Sequence, residues 1–181
     1  MREAFLRGTK TYLRPIEEAD IADPYLGWLN DREVTRYLET GRFPSTPSTL
    51  RRYLEGFAGS GTNIILAICD VKTDRHVGNV TLHRINWVHR TADTGIMIGA
   101  KEYWGMGYGY EAWSLVLDYA FNRLGLRKVI AGCVAANIAS LELQKKLGFK
   151  IEGTFRKEVY VDGKFDDLIR LGLFKEEFYS K

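Results

Sequence analysis

The stretch that most constrains this chain runs from Thr94 to Glu111, T-G-I-M-I-G-A-K-E-Y-W-G-M-G-Y-G-Y-E. The apolar run Ile96-Met97-Ile98 reads as the end of a strand. Gly105, Gly107 and Gly109 then alternate with Met106, Tyr108 and Tyr110, and a strongly apolar helical pattern follows from about Glu111 to Leu124. Strand, glycine loop and helix start in that order make an anion site. Glycines let backbone N–H groups converge on an anion, and the helix N-terminus adds partial positive charge. The next strand, Lys128 to Val134, is of the fully buried kind, so the unit predicts a parallel, right-handed crossover at the centre of the chain.

The rest of the chain arranges itself around that unit. Thr9 to Arg14 reads as a first strand, ended by Pro15. A helical region opens at Glu17 and carries Tyr25, Trp28 and Leu29; Asn30-Asp31 breaks it, and Glu33 to Leu38 is another turn or two. Thr46-Pro47 is an N-cap followed by Pro at the first helical position, starting a helix to about Phe57. Asn63 to Val71, His76 to Asn86 and Ala92 to Ile98 are strands, the first two forming a hairpin. Ile138 to Leu147 is a short helix closed by Gly148. Phe149 to Val161 and Lys164 to Phe174 form a long hairpin around Asp162-Gly163, and Lys175 to Lys181 reads as a frayed end. Strands and helices mix without strict alternation. The expected fold class is α+β, with a mostly antiparallel sheet of about seven strands, about four helices and one domain over residues 1–181.

Composition excludes several functions. A net charge of +3 on 181 residues, without a block of like charges, gives no basic arm for nucleic acid. Cys69 and Cys133 lie inside apolar runs and read as buried thiols, neither a disulfide framework nor a metal set. No apolar stretch follows Met1-Arg2-Glu3, and no run approaches the roughly 18 residues of a membrane span. The expectation is a cytoplasmic chain with no metal and no membrane partner.

Three phosphate ligands compete for the glycine loop. A P-loop needs Gly-Lys-Ser or Gly-Lys-Thr before the helix, and this loop ends Tyr108-Gly109-Tyr110. A dinucleotide fold needs G-x-G-x-x-G and an acid near the end of the next strand; here the spacing is G-x-G-x-G and the strand ends Val134-Ala135-Ala136. The third fits more of the chain. Y-W-G-M-G-Y-G-Y-E-A resembles the pyrophosphate loop of the GNAT superfamily of acyl-CoA N-acyltransferases. A-N-I-A-S-L-E-L-Q-K-K-L-G-F, Ala136 to Phe149, is similar to that family's N-x-x-S … K-L-G-F segment, and I-E-G-T-F-R, Ile151 to Arg156, is a third match. Within the superfamily the chain looks closest to the RimJ/RimL-like branch. Trp28 to Leu38 also resembles relatives that acetylate nucleotide-linked amino sugars.

The resemblance implies acetyl-CoA as co-substrate, lying in a splay between the strands ending near Ile98 and Val134. Backbone groups of Met97 and Ile98 would pair with the pantetheine amides. The amides of Gly105, Met106, Gly107, Tyr108, Gly109 and Tyr110 would hold the pyrophosphate. Asn137 would bond the pantetheine, cap the following helix, or do both. The family often places a tyrosine acid where this chain has Gln144, so the resemblance moves thiol protonation to Ser140, one helical turn earlier on the same face. For the base, Glu33, His83 and Asp93 are candidates, while Glu102 and Glu111 adjoin the phosphate loop. His83 has a reference pKa suited to a base, and Glu33 suits acceptor recognition. A lysine-like amine costs roughly 4–5 kcal/mol to deprotonate at pH 7 and an α-amine only about 1 kcal/mol. A chain without a strong base therefore fits a low-pKa acceptor: an amino sugar or other small amine, or a protein N-terminus. Tyr25, Trp28, Tyr37, Trp87, Tyr103 and Trp104 could stack on it. A non-catalytic acyl-CoA-binding module is the alternative, and a homodimer through the edge near Asp162-Gly163 is a further expectation.

Overall fold

The computed structural model describes residues 3–180, and the readings at Met1-Arg2 and Lys181 lie outside the described residues. Eight strands form one sheet in the spatial order β1-β2-β3-β4-β5-β6-β8-β7. They are β1 (Leu6–Arg7), β2 (Thr11–Pro15), β3 (Ile64–Asp70), β4 (His76–Asn86), β5 (Thr91–Ile98), β6 (Lys128–Val134), β7 (Lys150–Val161) and β8 (Lys164–Phe174). Every neighbouring pair is antiparallel except β5–β6, which is parallel as the crossover requires. Among the described residues there are six α-helices: α1 (Tyr25–Asn30), α2 (Arg32–Thr35), α3 (Pro47–Glu55), α4 (Tyr108–Asp118), α5 (Ile138–Lys146) and α6 (Lys175–Tyr179).

The α+β class and the mostly antiparallel sheet match expectation, but the counts were low by one strand and two helices. The expected strand over Thr9–Arg14 is β2, and the unexpected strand is β1, where Leu6–Arg7 folds back on Tyr12–Leu13. The C-terminal segment is not frayed: the Glu177 carboxylate accepts the Phe174 N–H at 2.9 Å and closes the first turn of α6. Asp31, expected only as a breaker, caps α2 by accepting from Glu33 N at 2.8 Å.

α4 is the element that holds the centre together. It begins at Tyr108, so Tyr108, Gly109 and Tyr110 form its first turn rather than a loop before it. It runs on into a π-helical turn, Tyr119–Arg123. Ala112, Trp113, Val116, Leu117 and Phe121 sit in one buried cluster with Leu13, Leu66, Val80, Leu82 and Leu171. Trp113 fixes the register of helix on sheet: its indole N–H donates to Thr94 Oγ1 at 3.0 Å, and that hydroxyl donates to Thr81 O at 2.7 Å. Removing a buried aromatic of this size typically costs about 3–5 kcal/mol.

A second anchor is electrostatic. Arg14, 2% exposed, donates to both oxygens of Asp20 at 2.7 and 2.8 Å. His76 Nδ1 lies 3.3 Å from the same carboxylate. Burial alone would raise the Asp20 pKa; the bonds from Arg14 and His76 outweigh it and hold the carboxyl well below the usual range.

Candidate active site

β5 and β6 pair over three positions only, Thr91–Lys128, Ala92–Val129 and Asp93–Ile130, and then separate. Beyond that point β5 stays bonded to β4 as far as Ile98, and β6 stays bonded to β8 as far as Val134. Each strand therefore turns one unpaired edge into a wedge-shaped gap, ready to accept an extended ligand as an added strand. Gly99 N–H donates to Val77 O at 2.9 Å. Antiparallel alternation then points the backbone of Met97 at β4 and the backbones of Ile96 and Ile98 into the gap. The expectation for Met97 is thus corrected: Ile96, not Met97, shares the open edge with Ile98. Trp104 Nε1 donates to Ile98 O at 2.7 Å, so the Ile98 N–H is the group that residue presents to the gap.

The glycine loop sits at the mouth of the gap. Gly105 and Gly107 take φ of 72° and 87°, the left-handed region where a side chain is strained. Gly109 is different, being helical. A Cβ there would make only ordinary contacts, 3.5 Å from Leu143 and 3.6 Å from Ile98, so the protein's own packing does not demand glycine. Space is kept for something that approaches the backbone from the gap. Tyr108 is buried edge-on against Tyr103, leaving its backbone to the site, and Met106 is exposed. Lys10 is the residue that sequence reasoning missed. Its ammonium donates to Met106 O at 3.0 Å and lies 3.6 Å from the Cβ position of Gly107. Glu111 delivers it. That carboxylate accepts the backbone N–H groups of Thr9, Lys10 and Thr11 at 2.9, 2.9 and 2.6 Å, and both threonine hydroxyls. Burial would push Glu111 up, but the bonds from Thr9 and Thr11 prevail and hold it at about 2. No local signal connects Lys10 to the loop, because they lie almost a hundred residues apart and meet only through the β1–β2 turn.

Across the gap, Asn137 caps α5 by accepting Ser140 N at 3.2 Å with Oδ1. Its Nδ2 makes no hydrogen bond among the described residues, so the same side chain can cap and also donate to a ligand. Gln144, fully buried, donates from Nε2 to Ser140 Oγ at 3.1 Å. The Ser140 oxygen is thereby an acceptor on its protein side. Gln144 Oε1 is buried without a partner among the described residues. The neighbouring Cys133 thiol is pushed up by burial, a poor state for a nucleophile.

His83 lies on the other face of the sheet. Thr94 faces α4, so Asp93 and its register partner His83 face away from it. Burial lowers the His83 pKa, with Arg84 and Arg170 acting in the same direction and Asp93 opposing. His83 Nδ1 lies 3.3 Å from Thr81 Oγ1. Asp93, a candidate base in sequence, is bound by Arg170 at 2.9 Å and Arg84 at 3.5 Å. Glu33 stands at the open end of the gap, paired with Lys101 at 2.8 Å; Lys101 also holds Asp31 at 2.9 Å. A cavity of about 320 Å³ there is lined by Arg32, Glu33, Arg36 and Asp162. Glu102 pairs with Arg75. A larger cavity of about 630 Å³, between α3 and the ends of β2 and β3, contains none of these residues. The aromatic side chains expected at the mouth are largely engaged in structure: Tyr25 and Trp28 are core, Trp87 bonds Gly61 O, and Tyr103 bonds Asp70.

A splayed pair of parallel strands, a glycine turn on a helix start, and an Asn–Ser pair across the gap make the arrangement that the sequence resemblance implies for an acyl-CoA transferase. Residues 10–150 match the family model described as acetyltransferase (GNAT) domain. The chain belongs to that family and is an acetyl-CoA-dependent N-acetyltransferase. It is 30% identical over 169 residues to the probable N-acetyltransferase YjcK of Bacillus subtilis, covering 90% of this chain and 92% of that one. It is 29% identical over 170 residues to spermidine N(1)-acetyltransferase of Escherichia coli, covering 93% and 88%. Its fold also matches the crystal structure of spermidine N-acetyltransferase from Vibrio cholerae in complex with CoA and spermine, with TM-score 0.85, 24% identity, and coverage of 93% and 98%.

Proposed function

We propose that the chain transfers the acetyl group by direct attack of a low-pKa primary amine on the thioester within a ternary complex. The observation that carries this reading is the gap itself: β5 and β6 part after Asp93 and Ile130, with Gly105–Tyr110 at one side and Asn137–Ser140 at the other. Bound acetyl-CoA supplies an activated carbonyl. Ile96 pairs with the pantetheine amides, and the Ile98 N–H donates to the thioester carbonyl oxygen as charge develops on it. The amides from Gly105 to Tyr110, with Lys10, hold the pyrophosphate; Asn137 Nδ2 bonds the pantetheine. Ser140 returns a proton to the departing thiolate. His83, neutral at pH 7, takes the amine proton from the opposite face, directly or through water. Glu33, oriented by Lys101, contributes to acceptor recognition at the mouth.

The acceptor is a small low-pKa amine such as an amino sugar. The relatives named for spermidine support a small-molecule amine in general. A protein N-terminus is the second reading, supported by the RimJ/RimL-like motif with Ser140 in place of a tyrosine acid. Thiol release from acetyl-CoA across a panel of sugar amines, polyamines and peptides tests both. Release with at least one class is expected; CoA-dependent thermal stabilisation without release across the panel would overturn the reading.

A further inference from the structure

The acceptor face of the gap is unusual in its charge. At its closed end Asp93, 12% exposed, is shared by two arginines, Arg170 from β8 and Arg84 from β4. Both arrive there by special backbone arrangements. Arg170 is the register partner of Gly132 on β6. Its side chain crosses that strand to reach Asp93 on β5, and a Cβ at Gly132 would stand 3.2 Å from its NH1 and 3.4 Å from its Cδ. Arg84 holds φ of 53°, a left-handed conformation costly for a non-glycine residue, in the stretch where the β4–β5 register shifts. His83 precedes Arg84 and is the register partner of Asp93; burial lowers its pKa, and both arginines act in the same direction. Two guanidiniums facing one carboxylate leave a net charge of +1 and several N–H donors unused, since each guanidinium carries five.

The carboxylates nearby are already committed. Asp31 and Glu33 share Lys101, and Asp162 is bound by Arg36 at 2.7 Å and Arg32 at 3.0 Å. Asp166, on the same face of β8 as Arg170 but four residues (roughly 13 Å) away, accepts the N–H groups of Ala136 and Asp167. A polycation entering this face would meet arginines at its closed end and find each of these carboxylates engaged. An anion would find a planar donor fork, the geometry that binds carboxylate and phosphate in two-point fashion.

We propose that the acceptor amine also carries an anionic group, carboxylate or phosphate, and that Arg170 and Arg84 bind that anion while His83 faces the amine. The proposal rests on the acetyl-transfer reading above. It is tested by thiol release with matched amines at low salt: an amino-sugar phosphate against the unphosphorylated sugar, an amino acid against its amide, and spermidine. The phosphate and carboxylate arms tell the two anions apart. At least one anionic amine should exceed its uncharged counterpart tenfold or more in kcat/KM. Arg170→Gln and Arg84→Gln should each cut that preference to below threefold, chiefly through KM. Arg84, 81% exposed in its side chain, carries the test if the Arg170 variant loses its CoA-dependent rise in Tm. Equal turnover of charged and uncharged partners, a preference for spermidine, or a preference that survives both substitutions would overturn the proposal and leave acetyl transfer standing. CoA binding with no thiol release from any amine would instead remove the transfer reading, and this proposal with it.

Discussion

Glu111→Gln is the perturbation that reaches furthest through this molecule. The carboxylate accepts three backbone N–H groups and two hydroxyls from the β1–β2 turn. Its pKa falls from 4.5 to about 2 in the folded chain. At about 1.4 kcal/mol per tenfold change in acidity, that drop corresponds to ~3 kcal/mol, and partial exposure reduces it to ~2 kcal/mol. Glutamine keeps one acceptor oxygen and turns an NH₂ group towards N–H donors, so the loss in stability should be at least that large. For a chain of this length, ~2 kcal/mol lowers Tm by roughly 4–8 °C. Because the folded pKa is depressed, the contribution is fully present above the unfolded pKa and disappears as pH falls through the folded one. The Tm gap between wild type and Glu111→Gln should therefore be constant near pH 7 and narrow between about pH 4.5 and pH 2. The same substitution loosens the turn that carries Lys10, so KM for acetyl-CoA should rise about three- to tenfold, with KM for the amine nearly unchanged. Thermal melts across pH and initial rates at varied acetyl-CoA measure both. A Tm within 1–2 °C of wild type at pH 7, or a gap that does not narrow in acid, would refute the electrostatic account.

Three other outcomes follow from the geometry. Ser140→Ala should lower turnover at least several-fold while the CoA-dependent rise in Tm stays intact; unchanged turnover would remove the hydroxyl from the mechanism. The profile of kcat/KM against pH should show its rising limb between about pH 6 and 8.5 from deprotonation of the acceptor amine. Since His83 titrates below its ordinary value, His83→Gln should lower the plateau without moving that limb, and a limb displaced by the substitution would instead assign it to His83. Asp20→Asn should destabilise by about 3–5 kcal/mol, because it leaves Arg14 as a buried unpaired charge; urea denaturation would measure it, and a loss under about 1 kcal/mol would contradict the pairing.

The glycine motif shows how far local chemistry carries. Gly105 and Gly107 take left-handed conformations open to glycine, and Ile138–Lys146 is a helix capped by Asn137 as the motif implies. Other assignments failed for identifiable reasons. The alternation of β5 against β4 is set by register, so the swap of Met97 for Ile96 could not be read from an apolar run in which both residues look alike. Likewise, the turn at Gly8–Lys10 is invisible beside a strand-like T-K-T-Y-L-R, because the carboxylate that organises it comes from Glu111, far along the chain.

Sequence alone determined the order of most elements and the crossover at the centre, since each depends on residues adjacent in the chain. It could also rule out a P-loop or a dinucleotide fold, because those chemistries require particular side chains at short spacing. The tertiary structure decided what depends on distant partners. It chose which backbone groups face the gap, brought Lys10 to the loop, bonded the Ser140 oxygen to Gln144, and set Arg84 and Arg170 around Asp93. Register, burial and long-range ion pairs arise only when separate strands and helices meet.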